Sequence, residues 1–241
     1  MNVRGKIVMS VLAVFMVAAV SAQQFYNSVN PLTTASNTLN YKLTGNQYYF
    51  WPKYIGSVYL NEEWCHAKLE LENGDIYEDV YVKLNTYLDE MIMYNERVGS
   101  VISLDKTIIH EFEMEQGYGT YGLFRKVNFD RIPKGYHYVN VLYDGSVKLY
   151  LWHKTEVVKR SLYKDEIHGG MRDSEYKHML NYYIIFPDGS MNKVSLDRRS
   201  FLQLFPEQRR TLKRLFRRNK IHFYTATDLV QATKIIEEEI F

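Results

Sequence analysis

Three turn signals constrain this chain most. Asn73-Gly74, Asp144-Gly145 and Asp188-Gly189 each stand between short runs rich in Val, Ile, Tyr and Phe. An Asn-Gly or Asp-Gly pair supplies the positive φ values of a tight type I′ hairpin, so each pair predicts two neighbouring antiparallel strands. Lys68–Leu71 and Ile76–Leu84 flank the first, Tyr138–Tyr143 and Val147–Val158 the second, Tyr182–Phe186 and Ser190–Leu196 the third. Ser57–Leu60, Glu90–Tyr94, Val98–Leu104, Thr107–Met114 and Leu123–Phe129 read as further strands. Val80, Val82 and Leu84 alternate with Tyr81 and Lys83, the pattern of a sheet with one buried face. About ten strands are too many for one flat sheet. The expected fold is α+β and mostly β: an antiparallel meander curled into a half-barrel or sandwich, with two C-terminal helices.

The period changes after Ser200. Pro206 suits the first turn of a helix. Leu212, Leu215 and Phe216 then fall on one arc of a helical wheel. Arg209, Arg210, Lys213, Arg214, Arg217 and Arg218 cover the rest. Thr225 with Asp228 forms a capping-box pattern that opens a second helix running to the chain end. Glu237, Glu238 and Glu239 crowd its last turn, where negative charge opposes the helix dipole. Compensation from outside, such as the basic helix, is expected.

The N-terminus reads as an address. Arg4 and Lys6 precede a nearly unbroken apolar stretch, Ile7–Val20, and Val20-Ser21-Ala22 offers a small-residue cleavage site. That is the pattern of a secretory signal peptide, cleaved before Gln23. No later stretch reaches 18 apolar residues, so no transmembrane span is expected in the mature chain. The organisation is then a signal peptide (1–22), a polar extended leader (23–47), an antiparallel β domain (48–200) and a helical appendage packed on it (201–241). Cys65, the lone cysteine, excludes an intrachain disulfide framework and reads as a small buried side chain beside Trp64.

No catalytic set is nominated. Gly117-x-Gly119-x-x-Gly122 matches a dinucleotide fingerprint as a string, but a strand follows it where a helix is required. His110-Glu111 lacks the second histidine of a zincin motif, and the seven histidines show no metal-ligand spacing. No cofactor and no metal is therefore assigned.

Charge order is the non-random feature. The full chain has a net charge of +2, and residues 23–241 hold 28 basic and 28 acidic residues. That neutrality hides a net −10 over residues 61–115 and +8 over residues 198–220. The basic helix is expected either to be covered by the acidic sheet or the acidic helix, or to face an anionic partner. That partner would be a lipid headgroup or an envelope protein. Export argues against nucleic acid. A second feature is the aromatic cluster Tyr48, Tyr49, Phe50, Trp51 and Tyr54. Core packing is its ordinary role, and a curled sheet would let it line the mouth of an apolar-ligand cavity.

Several stretches together carry a resemblance. They are the signal peptide, Trp51-Pro52-x-Tyr54-Ile55-Gly56-x-Val58, the segment Val82–Glu90, the Gly135–Lys148 hairpin and the basic helix. Over most of residues 48–235 the chain resembles uncharacterised exported proteins common in the Bacteroidota. The resemblance implies a cell-envelope location and no particular activity. The expected role is binding or structural and non-enzymatic. The alternative is a carrier of a lipid or other apolar ligand.

Overall fold

Each of the three glycine-bearing turns joins antiparallel neighbours. The computed structural model describes residues 43, 45–50, 54–95, 100–117, 119–130, 134–163 and 171–241. The signal-peptide segment and Trp51 lie outside them.

The strands are β1 (Gly45–Gln47), β2 (Tyr54–Ile55), β3 (Cys65–Leu71), β4 (Ile76–Asn85), β5 (Glu90–Asn95) and β6 (Ser100–Leu104). They continue as β7 (Ile109–Gly117), β8 (Thr120–Phe129), β9 (Gly135–Asp144), β10 (Lys148–Tyr163), β11 (Met171–Ile185) and β12 (Met191–Val194). All belong to one sheet, in the order β1-β6-β5-β4-β3-β7-β8-β9-β10-β11-β12, with β2 added in parallel to β11. β3–β6 and β7–β12 are therefore two meanders joined where β3 pairs with β7. The sheet is open and curled. Thr155 on β10 donates its backbone N–H to Thr86 O, just beyond β4, at 3.0 Å. Tyr176 on β11 clusters with Val58, Tyr59 and Ile92. Phe112, Phe124 and Tyr138, on the adjacent strands β7, β8 and β9, belong to one buried cluster, with Phe112 and Phe124 stacked at 5.0 Å and Tyr138 edge-on to Phe112 at 5.2 Å.

Three strand expectations need correction. Ser57–Leu60 forms only a bridge, Tyr59 to Asn85. Ser57 Oγ bonds both the N–H and the carbonyl of Tyr59, a local competitor to ladder pairing. The sheet begins inside the leader segment, at β1, and Leu43 is already buried. β11 extends far upstream of Tyr182, through the polar run Met171–Asn181, because β10 pairs with it along nearly its whole length. Gly117 and Gly119 lie at the β7–β8 turn, with no helix after them.

Three helices follow, one more than expected: α1 (Arg198–Gln203), α2 (Arg209–Arg218) and α3 (Ala226–Ile240). Asp197 caps α1 by accepting from Ser200 N at 2.8 Å. Pro206 sits in the turn before α2 and not in its first turn. The Thr225–Asp228 capping box opens α3. Phe201, Leu212, Phe216, Leu229 and Ile236 bury against Leu149, Leu151 and Ile184 of β10 and β11.

The acidic end of α3 is compensated, but not by the basic helix. Glu237 accepts from Tyr143 Oη, from the backbone N–H of Ser146 and Val147, and from Ser146 Oγ at 2.5 Å. A Cβ on Gly145 would stand 2.5 Å from both carboxylate oxygens, so Gly145 is small because Glu237 approaches it. Donation from Ser146, then from Tyr143, lowers the Glu237 carboxyl to about 2. A carboxyl held below its ordinary 4.5 stabilises the fold above that value, and the stabilisation is lost as pH falls toward 2. The wild-type melting temperature is expected to drop through that window. Glu237→Gln should flatten that part of the curve; an unchanged slope would show that the clamp carries no proton linkage.

Candidate anionic-partner surface

α2 is an amphipathic helix whose polar side is almost entirely cationic. Leu212 and Phe216 are buried, while Arg209, Arg210, Lys213, Arg214, Arg217 and Arg218 are all exposed. None of the six forms an ion pair with another described residue. All six remain open to solvent, and Glu237, Glu72, Glu111 and Asp79 from the two acidic segments pair elsewhere, with the β9–β10 turn, Lys126, Arg125 and His66. The basic face is therefore not covered by the acidic sheet or by α3.

This arrangement costs the helix stability. Arg209/Lys213, Arg210/Arg214, Lys213/Arg217 and Arg214/Arg218 are like-charge pairs four residues apart. Each such pair is unfavourable by roughly 0.2–0.5 kcal/mol. Arg209 and Arg210 occupy the first turn, where the dipole disfavours cations, and Gln208 makes no side-chain cap. Only Arg217 and Arg218 sit at the favourable end. Burial of Leu212 and Phe216 holds α2 in place against these terms.

The described members of the aromatic cluster divide between buried and exposed positions. Tyr48 is buried, and its hydroxyl bonds Tyr59 Oη at 3.2 Å and accepts from Asn85 Nδ2 at 2.9 Å. Tyr49 is 71% exposed, and Phe50 packs edge-on to Tyr48 and Trp64. Tyr54 contributes backbone pairing in β2, and Trp51 is outside the described residues.

Two polar constellations escape a reading along the chain. Asp89, buried and left-handed at φ 58, accepts from Lys106 Nζ at 2.7 Å, His137 Nδ1 at 2.9 Å and Tyr138 N at 3.3 Å. It ties the β4–β5 turn to the β6–β7 turn and to β9. His153 Nδ1 lies 3.1 Å from His178 Nε2, and His178 Nδ1 lies 3.2 Å from Thr155 Oγ1, itself 2.8 Å from Thr86 Oγ1. Burial, then the neighbouring imidazole, lowers His153 to about 4, so it is neutral at pH 7. The β10–β11 register brings these distant histidines together. No group of three or more metal-ligating side chains occurs among the described residues. Cys65 is buried, accepts from Asn61 Nδ2 at 3.1 Å, and burial raises its thiol pKa. Cavities of about 460 Å³ beside Cys65 and Trp64 and about 380 Å³ beside Phe129 and Tyr183 bring together no recognisable catalytic set.

No protein-family model, curated protein or solved structure matches the chain.

Proposed function

We propose that this is an exported, non-enzymatic binding protein of the cell envelope, and that it docks through α2 on an anionic lipid surface. One observation carries the reading. Six cations stand exposed and without ion-pair partners among the described residues, on a helix that they destabilise, and such local conflicts are expected where a surface serves binding. The signal-peptide pattern and the family resemblance support the envelope address. No helix among the described residues is long and apolar enough to cross a membrane, so α2 would make a peripheral contact. The alternative, an apolar-ligand carrier, is favoured by no comparable observation among the described residues.

Co-sedimentation with vesicles tests this. The protein should bind vesicles of phosphatidylglycerol in phosphatidylcholine and leave pure phosphatidylcholine unbound. Binding should fade as added salt shortens the screening length from about 10 Å at 0.1 M to about 3 Å at 1 M. Equal binding to both vesicles, or none to either at low salt, would overturn the reading. Salt-sensitive binding to an acidic polypeptide alone would assign the face to a protein partner instead.

A further inference from the structure

The loop after α2 presents one side chain that charge does not explain. Over residues 221–224 burial alternates: Ile221 and Phe223 point in, His222 and Tyr224 point out. Tyr224 is 81% exposed, the highest value among the exposed large apolar side chains of the described residues. The loop holds it there firmly. Phe223 adopts φ 65, a left-handed conformation that costs a residue with a Cβ roughly 1–2 kcal/mol. Its ring packs 5.3 Å from Phe216 and 5.4 Å from Phe201. Arg198 donates to Ile221 O at 2.8 Å, and Tyr224 N donates to Asp228 Oδ2 at 2.9 Å. The backbone that carries Tyr224 is thus held at both flanks, and the exposed ring stacks on His222 at 5.8 Å.

The contact between Phe216 and Phe223 also sets a common direction. Both rings face the core, while the α2 cations, Lys220 and Tyr224 are exposed within one short stretch of chain, residues 209–224. Cations attract lipid phosphates at about 1 kcal/mol each. A tyrosine has an apolar body and a polar tip, which suits the layer between headgroups and acyl chains. Cations with an interfacial aromatic close by in the chain match the phosphate charge and the graded polarity of an anionic lipid surface.

We propose that Tyr224 enters the headgroup layer of the anionic bilayer and anchors the orientation in which α2 docks. This rests on the lipid-docking reading above. The test uses Tyr224→Trp and Tyr224→Ala in the purified protein, with phosphatidylglycerol/phosphatidylcholine vesicles and their brominated-chain counterparts. The wild type, with its native tryptophans, supplies the background. The tryptophan introduced at position 224 should shift its emission to the blue and be quenched by brominated lipid beyond that background. Tyr224→Ala should weaken vesicle affinity about fivefold with an unchanged melting temperature. If both variants bind as the wild type does and the new tryptophan senses no lipid, the anchor is overturned while docking through α2 stands. If the wild type itself does not bind, the docking reading falls and the anchor falls with it.

Discussion

Simultaneous Arg210→Glu, Arg214→Glu and Arg217→Glu substitution is expected to lower affinity for anionic vesicles at least about 100-fold. Three lost attractions at roughly 1 kcal/mol each already account for about 3 kcal/mol, and 1.4 kcal/mol is a tenfold change. The three new carboxylates add repulsion. The fold should not suffer, because all three arginines are exposed and none forms an ion pair with another described residue. The reversal turns the Arg210/Arg214 clash into a pair of acids, and converts the Lys213/Arg217 and Arg214/Arg218 repulsions into attractions. The melting temperature of the variant is therefore expected to equal or exceed that of the wild type. Loss of binding together with equal or higher stability marks a surface kept for contact. Unchanged vesicle affinity, measured by co-sedimentation at low salt, would remove α2 from the docking face.

Asp89→Ala is expected to cost about 3–4 kcal/mol of stability, read as a lower urea midpoint with an unchanged slope. The carboxylate serves Lys106, His137 and Tyr138 N at one buried point. Lys106 is 27% exposed and can turn toward water, but His137 is 15% exposed and Tyr138 N is buried, so both lose their acceptor. Alanine also tolerates φ 58 less well than aspartate does. Asp89→Asn retains an oxygen acceptor and the left-handed preference, and should cost less than half as much. A loss below about 1 kcal/mol for Asp89→Ala would show that the carboxylate is dispensable to the junction.

The legible parts of the fold were those encoded locally. Asn73-Gly74 and Asp188-Gly189 each mark a hairpin, and Gly74 and Gly189 take φ 83 and 80. Asp144-Gly145 marks a hairpin too, but there the glycine lies under the Glu237 carboxylate, a contact between positions 92 residues apart. The upstream part of β11 was hidden because Met171–Asn181 has no apolar alternation and owes its conformation to pairing with β10. The cationic arc of α2 was legible in its 3.6-residue period. Its exposure was not, since either acidic segment was an eligible cover and only the tertiary packing directs Glu237 to the β9–β10 turn. His153 and His178 meet through a register set across a long hairpin, which spacing along the chain does not report.

The junction of β3 with β7 has a kinetic consequence. Within each meander every pairing joins consecutive strands, and such hairpins close short loops on a microsecond scale. Ala67 must instead find Met114, and Leu71 must find Ile109, after β4, β5 and β6 have been laid down between them. Closing that longer loop costs more chain entropy, and non-local contacts of this kind slow folding. The barrier to refolding is thus expected to lie in docking the two meanders on one another, at the β3–β7 pairing and at the Thr86–Thr155 contact across the curl.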